Sequence, residues 1–182
     1  AFNKPKVFQV EATNNCNLAC IMCPHSEQTR KKGLLGIDVF KNIVDKGWLA
    51  FSDFVRLHGM GEPLMNKKVF ELVEYASKKD IKTEISTNIC LLDKNKSQKV
   101  IDSKLTQIIL SLDGMTKKTY EHIRVKADFE NSIKNLNYFL DLKKKKKSKI
   151  YTVVQIIFMM ETSEEVLEYV NYWKTHGGLD EI

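Results

Sequence analysis

Apolar positions along the chain switch repeatedly between a two-residue and a 3.6-residue period. Residues 6–13 (KVFQVEAT) are rich in β-formers and run straight into a cysteine-bearing loop. Residues 37–50 (IDVFKNIVDKGWLA) carry apolar side chains at helical spacing and predict a helix. Residues 54–60 (FVRLHGM) predict a strand, closed by Gly59 and Gly61. The alternation continues with a helix over 67–79, a strand over 82–87 and a helix over about 94–103. A nearly continuous apolar strand then spans 107–114 (QIILSLDG), followed by a helix over 129–145 and a long β-branched strand over 151–160 (YTVVQIIFMM). The last helix covers 163–174, with Thr162 or Ser163 as its cap, acidic residues in its first turn and Gly177–Gly178 as its stop.

Five β-then-α units in succession predict an α/β fold, a parallel sheet with helices outside it. The strands read as apolar throughout, the pattern of strands buried on both faces. At 182 residues the chain is expected to be one domain, 1–182. It stops at LDEI, where a sixth strand should begin, so the sheet is expected to be truncated at its C-terminus. The polar and small residues of interest cluster where strands end: the cysteine loop, GMGEP, STN and SLDG. Strand ends of a parallel α/β fold share one face, so these four motifs are expected to converge.

Composition narrows the function classes. The formal charge is +6, but much of the excess sits in Lys143–Lys147 at a predicted helix end. Lysines there favour the helix dipole and stay solvated, and arginine occurs only at 30, 56 and 124. Nucleic acid is therefore not the expected partner. No apolar run of membrane-spanning length occurs, and the N-terminal AFNKPKVFQV lacks a secretory apolar core. Four cysteines in a chain of this size do not make a disulfide framework, and a cytoplasmic location is expected.

Cys16, Cys20 and Cys23 form a C-x3-C-x2-C pattern in CNLACIMC. Closed zinc and iron–sulfur sites take four protein ligands, so three thiolates leave a position open for a cofactor or substrate. Cys90 lies far away in an apolar stretch and reads as a small buried hydrophobe. Zinc is the competing reading, yet the second half of a zinc knuckle is missing and His25 is the only nearby candidate.

With these residues in view, the chain resembles the radical S-adenosylmethionine (SAM) enzymes. The signature CNLACIMC, the run LHGMGEPLMN, STN, SLDG and TYEHIR are most similar to the branch whose members often carry a SPASM or twitch domain. The resemblance implies a partial (β/α)6 TIM-like barrel of parallel strands with outer helices. It implies a [4Fe–4S] cluster on Cys16, Cys20 and Cys23, whose open iron binds SAM. One-electron cleavage of SAM then yields a 5′-deoxyadenosyl radical that abstracts hydrogen from a peptide or small-molecule substrate. An electron donor such as a flavodoxin or ferredoxin is implied too.

The same resemblance assigns site residues. Gly61, Glu62 and Pro63 match the GGE-type motif that holds the SAM amino group, with Met60 in place of its first glycine. Ser111 and Arg124 are candidates for the SAM carboxylate, although Arg124 could instead pair with Glu121 on the surface. Ser86 and Asn88 would lie near SAM or substrate, with Ile89 standing where the family usually has glycine. Met22 would flank the adenine; Met160 would contact it or belong to the core. Asp113 faces substrate or caps a turn, and His25 and His58 are pocket groups or merely satisfied histidines. Two other functions compete: an iron–sulfur electron-transfer or cluster-carrier protein without SAM chemistry, and a zinc-stabilised binding module.

Overall fold

The computed structural model describes residues 7–49, 52 and 54–182. The expected strand start at residue 6 and helix end at residue 50 lie outside them. Five strands, β1 (Val7–Gln9), β2 (Phe54–Arg56), β3 (Thr83–Thr87), β4 (Gln107–Ser111) and β5 (Tyr151–Gln155), pair in sequence order, and every pair is parallel. The helices are α1 (Ile37–Asp45), α2 (Val69–Ser77), α3 (Lys94–Asp102), α4 (Lys117–Ile123), α5 (Phe129–Lys146) and α6 (Val166–Thr175). Side-chain caps set three of their starts. Asp93 accepts from Lys96 N at 2.8 Å, Thr116 from Thr119 N at 3.2 Å, and Asp128 from Asn131 N at 3.0 Å.

A sixth position begins beside β5. Glu181 forms a parallel bridge with Val153, and Val154 N donates to Glu181 O at 3.1 Å. The approach to it is anchored by Lys143, which is buried and pairs with Asp180 and with Gly178 O. This corrects the expectation of a wholly solvated lysine block: the first lysine of the run faces the sheet side of α5, while Lys144 to Lys147 are exposed.

Burial of the strands also differs from expectation. In β4, Ile108 and Leu110 are fully buried, whereas Gln107, Ile109 and Ser111 are only partly so. In β2, Val55 is buried between the half-buried Phe54 and Arg56. One sheet face packs under the helices with Phe40, Leu72, Val100, Leu136 and Phe139 in the core. The other is a partly open, polar wall that includes Arg56, Ser86 and Ser111. A barrel-like sheet buries its outer face against helices and keeps polar groups on the inner one, where a ligand is held.

Other elements also differ from expectation: α1 ends at Asp45, β2 at Arg56, and α6 starts at Val166. Strand β5 stops at Gln155, and Met160 opens a 3-10 turn, Met160–Thr162. The apolar run continues past the last ladder bond, so composition overextended the strand. The seven-residue helix α4 was not anticipated; it is too short for its period to register.

Candidate active site

The cysteine loop leaves β1 and is held by backbone on both flanks. Leu35 N donates to Ala12 O at 2.9 Å, and the buried Asn14 side chain accepts from Gly33 N at 2.7 Å. His25, also buried, bonds through Nε2 to Asn14 O at 3.0 Å, so it is a structural histidine rather than a ligand. On the far side, Ala19 N donates to Val125 O and Ile21 N to Ile123 O, each at 3.0 Å. These bonds tie the three cysteines to the end of α4.

The GEP loop crosses directly over this loop. Glu62 N donates to Asn15 O at 2.8 Å, and a Cβ on Gly61 would lie 2.1 Å from Thr13 O. Gly61 is thus required by close backbone approach and not by its φ. The backbone at Met60 is not left-handed, so a side chain is accommodated where the family motif has glycine. Ile89 is different: its φ is +70°, a conformation that strains a β-branched residue, and its side chain is fully buried. The turn that glycine would make is kept here, held by core packing.

Glu62 is buried, and its carboxylate fastens the end of β3. Oε1 accepts from Thr87 Oγ1 at 2.8 Å and Leu64 N at 3.1 Å; Oε2 accepts from Asn88 N at 2.8 Å. Burial raises its pKa, with these donors opposing. About one of its four lone-pair positions is left for a ligand. Asn88 in turn donates to Asn17 Oδ1 at 2.9 Å and lies 4.0 Å from Cys16 Sγ. Ser86 and Ser111 share a hydroxyl–hydroxyl bond of 3.2 Å between β3 and β4.

Arg124 is buried and pairs with Asp113, not Glu121: Nε and Nη2 reach Asp113 Oδ2 at 2.8 and 2.6 Å. Glu121 instead accepts from Phe129 N. Asp113 is fully buried and caps no turn; its Oδ1 accepts from Ile157 N at 2.8 Å. His58 accepts from Ser86 N through Nδ1 at 3.1 Å, and burial, aided by Arg56, lowers its pKa to about 4. It is a neutral group at physiological pH.

These residues surround one cavity of about 300 Å³. Cys16, Cys20 and Cys23 line it with Met22, Gly61, Glu62, Ser86, Asn88, Ser111 and Arg124. Of the residues assigned from sequence to the cluster and SAM, two lie elsewhere. Pro63 is buried at the start of the 3-10 turn Pro63–Met65. Met160 is 91% exposed, neither in the core nor on the cavity, because β5 ends five residues earlier. Ile157 takes the strand-five position on the wall, and Thr87 and Pro24 join it. Thr87 stood inside the STN motif; Ile157 carried no signal distinguishing it from its apolar neighbours. Cys90 is half-buried outside the cavity, 3.4 Å from Ser132 Oγ.

The donor set suits a thiolate-bound cluster. Burial raises the pKa of Cys16 and pushes that of Cys20 up to about 11, with Arg124 opposing the latter. Thiolates in such a setting need positive charge from bound metal. Among the described residues no three Cys, His, Asp or Glu side chains gather closely enough to hold a single ion. Three thiols spread round one cavity fit separate irons of a cluster better than one zinc.

The profile of the radical SAM superfamily matches residues 10–172. The chain belongs to the radical SAM superfamily. It is 29% identical over 136 residues to Fe-coproporphyrin III synthase of Methanosarcina barkeri, covering 74% of this chain and 34% of that protein. It is 29% identical over 126 residues to the mycofactocin maturase MftC of Mycobacterium tuberculosis, covering 69% and 32%. This radical SAM chain therefore spans about a third of the length of these relatives. Among solved structures it resembles SuiB of Streptococcus suis bound to S-adenosylmethionine, with TM-score 0.76 and 20% identity over 93% of this chain and 38% of that one. SuiB bound to the precursor peptide SuiA gives TM-score 0.77 and 19% identity, covering 94% and 37%. The chain shares its barrel-like fold with both SuiB structures.

Proposed function

We propose that residues 1–182 form a radical SAM core domain that generates a substrate radical from SAM at a [4Fe–4S] cluster. The observation that carries this reading is the convergence of Cys16, Cys20 and Cys23 with Glu62, Ser111 and Arg124 on one cavity. When bound, the reduced cluster would supply one electron for cleavage of the SAM sulfonium to methionine and a 5′-deoxyadenosyl radical. The three thiolates of Cys16, Cys20 and Cys23 would hold three of its irons. Backbone carbonyls of the Met60–Glu62 loop, with the remaining lone pair of Glu62, take the SAM ammonium. Ser111 and the free edge of Arg124 take the carboxylate. Met22 and Ile157 offer apolar, polarizable walls to the adenine. Ser86 and Asn88 orient the ligand from the end of β3, and Pro63 fixes the exit of the loop.

The substrate is a peptide or small molecule, and peptide is favoured because MftC is a maturase and SuiB binds a precursor peptide. The SPASM/twitch branch is the nearest setting. A flavodoxin or ferredoxin supplies the electron, and the cytoplasm is the compartment that keeps these thiols reduced. Among the described residues no helix is long and apolar enough to cross a membrane.

A cluster carrier without SAM chemistry explains the thiols but not Ser111 and Arg124 on the same wall. Anaerobic reconstitution tests the site. Iron and sulfide should load in equal amounts, SAM should alter the electron paramagnetic resonance spectrum of the reduced cluster, and Cys20→Ala should abolish both while Cys90→Ala keeps both. A spectrum indifferent to SAM would favour the carrier.

A further inference from the structure

We propose that Asp113 is a positioning residue that pre-sets Arg124 for an anionic group in the cavity. This inference rests on the reading that the cavity takes SAM. Asp113 follows β4 and is fully buried, yet its carboxylate serves two separate elements. Oδ2 takes both Nε and Nη2 of Arg124, at the end of α4, and Oδ1 takes Ile157 N, in the segment leaving β5. Both partners line the cavity, and Asp113 itself does not.

The division of donors matters. An arginine has five N–H donors, and here those on one edge are turned to Asp113. Among the described residues Nη1 makes no hydrogen bond to protein, and it is not sealed from solvent. The side chain is therefore gripped from behind with one edge left for a ligand. Such a long side chain, if free, would have to be ordered when the anion binds; held in place, it avoids that loss. The same carboxylate fixes Ile157, so the polar and the apolar walls keep one spacing. Charge neutralisation alone would not require the second bond to Ile157.

The test measures SAM binding by equilibrium dialysis to the anaerobically reconstituted holoprotein, with iron and sulfide determined for each variant. Asp113→Asn is expected to raise the SAM dissociation constant at least about tenfold at unchanged iron and sulfide. In an Arg124→Met background the same change should add nothing, because an amide oxygen at 113 can still accept from Ile157 N and only the grip on Arg124 is altered. Glu121→Gln, altering the nearby carboxylate that does not touch Arg124, should bind SAM as wild type does. If Asp113→Asn yields no loaded protein, Asp113→Glu replaces it; its displaced carboxylate should still weaken binding, and wild-type affinity would overturn the proposal. Unchanged affinity in Asp113→Asn, or equal losses in both backgrounds, would also overturn it. Wild-type holoprotein that binds no SAM would instead refute the reading of the cavity.

Discussion

Replacing Gly61 by alanine probes the crossing of the GEP loop over the cysteine loop. The new Cβ would lie 2.1 Å from Thr13 O and 2.6 Å from Asn15 O, where ordinary contact begins at 3.4 Å. The two backbones would have to part by about 1.3 Å at the tighter contact, and both belong to hydrogen-bonded segments. Overpacking of this kind costs about 1–3 kcal/mol. Losing the 2.8 Å bond from Glu62 N to Asn15 O adds about 1 kcal/mol. The total of about 2–4 kcal/mol corresponds to a melting temperature lower by about 5–15 °C for a domain of this size. Gly33→Ala is the control, since nothing lies within 4 Å of its added methyl. Thermal melts followed by circular dichroism, with iron content after reconstitution, read both effects. Gly61→Ala should melt early and load less iron, because the displaced loop carries Asn15 next to Cys16. Should it melt and load like Gly33→Ala, the close crossing would be wrong.

Two other perturbations address the frame around the site. Burial lowers the pKa of His58 from 6.5 to about 4, so the unfolded chain takes up its proton first. Its contribution is complete above pH 6.5 and disappears as the pH falls towards 4, about 2 kcal/mol being lost between pH 7 and pH 5. Urea midpoints should therefore drop less over that range in His58→Gln than in wild type; parallel drops would show that His58 is not buried neutral. Lys143→Met removes the anchor to Asp180 and Gly178 O. It should destabilise by about 1–2 kcal/mol in urea melts, Asp180 being partly exposed, while exposed Lys145→Met stays within about 0.5 kcal/mol of wild type. Equal midpoints for the two variants would dismiss the anchor.

The order of elements was legible because a switch between two periods survives without any tertiary knowledge. The meeting of strand-end motifs followed from parallel topology alone: the three cysteines line the cavity with Met22, Gly61, Glu62, Ser86, Asn88, Ser111 and Arg124, whereas Pro63, Met160, Asp113 and His25 do not. What failed depended on contacts distant in sequence. Whether an apolar residue beyond β5 stays in the ladder is decided by its neighbour, so Ile157 and Met160 looked alike. Arg124 had Glu121 close by in sequence, but burial after α4 turned it towards Asp113, eleven residues away. Lys143 looked like the rest of its run until the segment before Glu181 folded against it. The inner faces of the strands looked buried because Ile109 and Val153 stand in an apolar context, although the wall they share with Ser86 and Ser111 is partly open. Glu62 was legible as a candidate site acid, but its donors Thr87 Oγ1 and Asn88 N could only be seen once the end of β3 had been placed beside it.

Reductive cleavage of SAM in this cavity is tested most directly by quantitation of 5′-deoxyadenosine and methionine after the cluster-loaded holoprotein is mixed with SAM and a strong reductant under anaerobic conditions. Both products are expected, in amounts that depend on the reductant and vanish in Cys20→Ala. A fully loaded wild-type protein that binds SAM yet forms neither product would contradict the proposed cleavage.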